Sequence, residues 1–163
     1  MKIHVATTNQ ETLEVWRSII RIPIVEFTST VPPQLTTDAI LMAGQFAFDR
    51  YGGRPQSSDA QILQNKNGDG MPPFIIIPPY RPMVKNPEGG RSVAPGWEDV
   101  SPAYHAVSRA LEGIKSWNLQ EFDTPHHIES IVIDLAMLGM NNSSDTRTPA
   151  SVHRALAEFY ESQ

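Results

Sequence analysis

The chain has 163 residues, of which 40% are hydrophobic and 19% charged, a length suited to one domain with a core and a charge content too low for a disordered polyelectrolyte. Lys and Arg number 13 against 18 Asp and Glu, a net charge of −5, which disfavours duplex DNA or an anionic membrane as partner while leaving a nucleotide-sized anion held by backbone amides open. There is no cysteine, so disulfides, thiolate metal sites and cysteine nucleophiles are excluded.

Lys2-Ile3-His4-Val5-Ala6 alternates as a short strand does, and Thr7-Thr8-Asn9 after it suits a helix cap. Leu13, Val15-Trp16 and Ile19-Ile20 then recur near helical spacing over Gln10 to Ile20, and Pro23 ends that connection. Ile24 to Phe27 reads as a second strand, and Val31-Pro32-Pro33 breaks the pattern. Ala39 to Ala43 is an uninterrupted apolar run of the kind covered on both faces in a parallel sheet, and its exit at Gly44 leads into an expected loop containing Gly52-Gly53.

Ser57-Ser58-Asp59 would cap a short helix carrying Ile62-Leu63, ended by Gly68-Asp69-Gly70 and Pro72-Pro73. Phe74 to Ile77 is another buried-type strand. Pro78 to Trp97, with five prolines and three glycines, reads as a long excursion without regular structure, of the kind that covers a site or moves. A helix opens at Ser101-Pro102 with an inner stripe of Tyr104, Val107, Leu111 and Ile114, and Trp117 near its end pins the following loop. Ile128 to Leu135 is the last strand, and Thr148-Pro149 opens a helix that turns Val152, Leu156 and Phe159-Tyr160 inward. Alternating strands and helices with near-continuous apolar strands predict one α/β domain over 1–163, built on a mostly parallel sheet. No apolar run is long enough for a membrane span and the start lacks a signal-peptide layout, so a soluble, cytoplasmic protein is expected.

In such sheets ligands bind beyond the carboxyl ends of the strands. The exits to inspect are therefore Gly44 to Gly53 and Ala136 to Asn142, where small residues would let main-chain N–H groups approach an anion or would simply make tight turns. Val15-Trp16-Arg17, Thr37-Asp38-Ala39-Ile40-Leu41, the Gly-Gly stretch, Ile75-Ile76-Ile77-Pro78, the helix around Tyr104 to Leu111 and the closing Ala136-Met137-Leu138-Gly139 to Ala150 follow one another in an order that resembles the macrodomain family. The layout is most similar to the compact macrodomain-like proteins of phages and bacteria.

The resemblance implies a three-layer α/β/α sandwich with a cleft for ADP-ribose or a related nucleotide, whose diphosphate would be wrapped by Gly52, Gly53 and by Leu138, Gly139 and Met140. It also implies hydrolysis of ADP-ribose derivatives as an activity to test. The chain departs from the family at three places. The usual aspartate after the second strand is replaced by Thr28-Ser29-Thr30, where Ser29 would accept from the adenine amine. The usual asparagines after the third strand give way to Met42-Ala43-Gly44-Gln45, where Gln45 retains an amide. The loop has two glycines followed by Arg54-Pro55 where three or more are common. Gln45, Asp49 and Asp59 are the candidates for positioning water, and they form no recognisable pattern.

Arg81, Lys85 and Arg91 lie in the Pro/Gly excursion, edged by Tyr80 and Trp97; Arg81 would pair with phosphate and an aromatic stack on a base, or the cations solvate the loop and Trp97 packs its foot. The five histidines show no HxxxH or HExxH spacing, so no metal is expected, and no cofactor. Serine-hydrolase elbows and Walker loops are absent. Because fold does not fix function, a second reading stands beside nucleotide binding: a non-catalytic structural or interaction protein, for example a phage-encoded or oligomer-forming one, on the same scaffold with its nucleotide chemistry lost.

Overall fold

The computed structural model describes residues 1–163. In chain order its elements are β1 (Lys2–Ala6), α1 (Gln10–Ile19), β2 (Val25–Thr28), β3 (Ala39–Leu41), α2 (Gly44–Tyr51), β4 (Gln61–Gln64), β5 (Phe74–Ile77), β6 (Met83–Lys85), β7 (Arg91–Val93), α3 (Pro102–Gln120), β8 (Ser130–Asp134) and α4 (Arg147–Glu161). Six strands form one sheet in the order β2-β1-β8-β3-β5-β4, parallel throughout except for β4. It is the α/β fold on a mostly parallel sheet that the alternating elements predict, with helices on both faces as a three-layer sandwich requires.

The two faces of the sheet are covered unequally. Ile3, Val5, Ile131, Ile133, Leu41 and Ile76 point to the side of α1, α3 and α4 and share one core with Trp16, Val107, Leu111, Ile114 and Leu156. Ala6, Ile40, Met42, Ile75, Ile77 and Val132 point the other way and are covered by α2 through Ala47, with Val31, Leu35 and Met71 of the loops packed beside it. Strand alternation forces this division, since successive side chains leave opposite faces. A strand such as β8 buries both sets, which is why its centre, Ile131-Val132-Ile133, is apolar without a break.

Local signals explain most boundaries. The Asn9 side chain accepts from the Thr12 N–H at 3.0 Å and starts α1. Ser101 caps α3, with Pro102 in its first turn. α4 begins at Arg147 because Asp145 accepts from the N–H groups of Arg147 and Thr148, at 2.9 and 3.1 Å, and from the Thr148 hydroxyl. Trp117 donates to the His126 carbonyl at 2.7 Å and meets the Phe74 ring edge-on, pinning the loop after α3 as expected.

Four expectations are corrected. Gly44 to Tyr51 is a helix, not a loop, because Ala47, Phe48 and Tyr51 recur at helical spacing against the smaller core. Ile62-Leu63 belongs to β4, not a capped helix: Ile62 packs into the larger core and Leu63 into the smaller, a period of two that only a strand satisfies. The excursion after Pro78 contains a hairpin, β6 paired with β7. Tyr160 is exposed instead of inward, and Tyr104 is only partly buried: it packs against the larger core at the α3–α4 rim, where its hydroxyl donates to Glu158 and Arg154 covers its ring. No helix is long and apolar enough to cross a membrane.

Candidate functional site

β1, β2, β3, β5 and β8 run parallel, so their carboxyl ends share one edge of the sheet. Chain order carries β1 outward to β2 on one side and β3 to β5 on the other, with β8 returning between them. Such a reversal opens a crevice at that edge.

On the β3–β5 side of the edge lies a cavity of ≈ 530 Å³. Its floor is the start of α2, at Ala43, Gly44 and Gln45; its walls are Pro78, Pro79, Tyr80, Arg81 and Met83, and Pro102 and Ala106 of α3. α2 has no side-chain cap. The N–H groups of Phe46 and Ala47 already reach the Ala43 carbonyl, at 3.0 and 3.1 Å. Those of Gly44 and Gln45 have no intrahelical acceptor, and the helix dipole adds positive potential at the same end. Across the cavity Arg81 is held from one side, its Nη1 donating to the Val100 carbonyl at 2.9 Å, which leaves the rest of the guanidinium fork to a ligand. No carboxylate and no imidazole lines this cavity.

The structure brings Gln45 and Arg81 together and separates them from the other expected ligands. Gly52 and Gly53 follow α2 instead of leading into it. Gly52, at φ 96°, ends the helix with its N–H on the Phe48 carbonyl, so that end presents negative potential. Gly53, at φ 88°, lies against Gln61, whose side-chain amide exchanges hydrogen bonds with the Arg54 main chain. The amides of Leu138, Gly139 and Met140 donate to the carbonyls of Asp134, Ala136 and Leu135 at 3.1, 3.2 and 2.8 Å, and the Leu138 and Met140 side chains pack on the core. That turn closes on itself, so its main chain has no donor left for a diphosphate. Ser29 sits at the exit of β2, three strands from β3 and so about 14 Å along the edge. Asp59 caps nothing and pairs with Arg109 at 3.1 Å, and neither it nor Asp49 lines the cavity.

The sequence reading passed over Asp134. It ends β8 with 6% of its surface exposed, on the α2 face, and burial pushes its carboxyl up from the usual carboxylate range. Its Oδ1 accepts from the Met137 N–H at 3.3 Å and so holds the turn at 136–140. The signal was an acid at the end of an apolar strand, where nothing but a turn cap or a ligand contact satisfies it.

Trp97 packs the foot of the excursion, its ring edge-on to His105 with centroids 5.3 Å apart. His105 is buried and its Nε2 has no partner. Burial lowers its pKa, aided by Arg109 and Arg81 and opposed by the Tyr80 backbone and Glu112. A histidine that binds its proton less readily folded than unfolded removes stability as pH falls below the unfolded value of about 6.5. The wild-type protein is therefore expected to lose stability between pH 7 and 5, and His105→Phe to lose less over that range. Urea denaturation of both at the two pH values measures it; parallel losses would assign the acid sensitivity elsewhere.

The largest cavity, ≈ 770 Å³, opens at the opposite edge between the ends of α3 and α4, beside the exposed Leu119 and Phe122. It lies at the amino ends of β1 and β8, away from the strand exits. Fold and site together define an α/β sandwich with an uncapped helix start and one arginine facing a cavity at the carboxyl edge of its sheet. No known family model matches the chain, and no curated protein matches it.

Proposed function

We propose that the protein binds a nucleotide of the ADP-ribose class, with its diphosphate at the start of α2 and Arg81 closing on it from the opposite wall. The observation that carries this reading is the meeting of the free Gly44 and Gln45 amides with the Arg81 guanidinium across one ≈ 530 Å³ cavity. Oriented amides at a helix start and a planar cation suit a diphosphate and need no basic surface around them. The macrodomain-like order of the elements supports the same ligand. From the β3 exit, where the cavity begins, to Ser29 is about 14 Å along the edge, a span that suits a dinucleotide laid along it with Ser29 accepting from the adenine amine. The absence of any carboxylate or imidazole from the cavity wall favours binding over hydrolysis.

Differential scanning fluorimetry against ADP-ribose, AMP, NAD and pyrophosphate tests this. A ligand at ten times its dissociation constant contributes about 1.4 kcal/mol, roughly a 4 °C rise for a chain of this size. ADP-ribose is expected to stabilise most and pyrophosphate least. No shift with any of them at millimolar concentration would defeat the reading. The second reading, a structural or interaction protein, is favoured by one feature that borders this cavity, the exposed hairpin, whose Met83 is part of the cavity wall.

A further inference from the structure

β6 and β7 pair only with each other and join no strand of the central sheet. Two-stranded hairpins this short are marginal in water by themselves. The Asn86 N–H reaches the Gly90 carbonyl at 3.0 Å and the Ala94 N–H the Pro82 carbonyl at 2.8 Å. Antiparallel alternation then turns the main-chain groups of Met83, Lys85, Arg91 and Val93 outward, away from the partner strand. Every residue of β6 is exposed, including Met83 and Val84, at 39% and 41%.

Lys85 stands directly opposite Arg91. Like charges in that position repel, and neither cation has a carboxylate partner in the chain. A chain with net charge −5 thus places two unpaired cations and an open strand edge on one projecting element, beside exposed apolar side chains.

From this juxtaposition we propose that the hairpin is a docking edge for an acidic, extended segment of a partner protein, which adds to β6 as a third strand. Main-chain groups of Met83 and Lys85 would pair with the incoming backbone, Val84 would meet the side chains of its other face, and its carboxylates would pair with Lys85 and so relieve the repulsion between Lys85 and Arg91. A nucleic acid would satisfy the cations but not the strand edge. The proposal does not depend on nucleotide binding at the cavity.

The test is fluorescence anisotropy with a labelled peptide alternating Glu and Thr, beside the same peptide with Gln for Glu, the same peptide with a central Pro, and oligothymidylate. The acidic peptide is expected to bind in a salt-sensitive manner, with the Gln and Pro versions weaker by about tenfold or more. The double variant Lys85→Glu/Arg91→Glu should lose that binding. Met83→Pro, which removes an outward donor and keeps both cations, should weaken it, with circular dichroism of both variants checking the fold. No binding of the acidic peptide at millimolar concentration overturns the proposal. So does equal binding of the Gln or Pro version, or binding of oligothymidylate in place of the peptide.

Discussion

Trp16→Ala is expected to destabilise the protein by about 4 kcal/mol, lowering its melting temperature by roughly 10 °C. Trp16 has no exposed surface and sits where α1 meets the sheet, in the same core as Ile3, Val5 and Leu156. Truncation to alanine removes the largest fully buried side chain and leaves a cavity that α1, capped by Asn9 at one end, cannot collapse to fill. The indole adds a second term of opposite sign. Its Nε1 is buried with no acceptor, so the native state already carries an unsatisfied donor. Trp16→Phe deletes that donor and keeps most of the apolar volume, and it should cost less than half as much as the alanine change. Urea unfolding followed by circular dichroism decides it. Equal losses for the two variants would mean that the cavity does not set the energy, and a loss below about 1 kcal/mol for alanine would mean that α1 is not anchored here.

The parts of the fold legible in the sequence are those where one period dominates. β5 and β8 announce themselves because a strand inside a parallel sheet is apolar on both faces, β1 because its residues alternate, and α3 because Val107, Leu111 and Ile114 keep to one stripe behind Ser101-Pro102. Errors fell where two periods compete over few residues. Ile62-Leu63 has only two apolar residues, compatible with a helix turn or a strand until β5 supplies an antiparallel neighbour. Gly44 and Gly52 bracket α2 and made it read as a loop, although Gly52 marks its end, where a positive φ belongs. The β6–β7 hairpin was hidden by its prolines, which stand before β6 and in the turn, clear of both strands.

The site was legible in its location more than in its donors. Ligands bind beyond the carboxyl ends of parallel strands, and Gln45 after β3 and Arg81 after β5 arrive at two neighbouring exits of that kind. What sequence does not carry is which amides remain unbonded. Gly139 in a small-residue turn reads the same whether its N–H faces solvent or the Ala136 carbonyl, and only the folded turn at 136–140 decides it. Asp134, which sets that turn, is a readable hint, since it is the one acid in the apolar run from Ile131 to Leu135.

These occupancies separate two variants that a glycine-loop picture would treat alike. Arg81→Glu is expected to abolish ADP-ribose binding, weakening it about a hundredfold or more, because it removes a cation and places a carboxylate where phosphate oxygens would lie. The same change breaks the bond to the Val100 carbonyl, so Arg81→Gln serves beside it: it also gives up that bond but adds no carboxylate, and should weaken binding by roughly tenfold. Gly139→Val should act on the other side of the ledger. At φ 71° a β-branched residue is strained, which lowers stability by about 1–2 kcal/mol, while open space around the missing Cβ lets the side chain point outward. Since the Gly139 N–H is already bonded, affinity measured by isothermal titration on the folded fraction should stay within twofold or so of the wild type. The opposite pattern, with Gly139→Val losing ligand and Arg81→Glu keeping it, would move the diphosphate from α2 to the β8 exit and require the turn held by Asp134 to open when nucleotide binds.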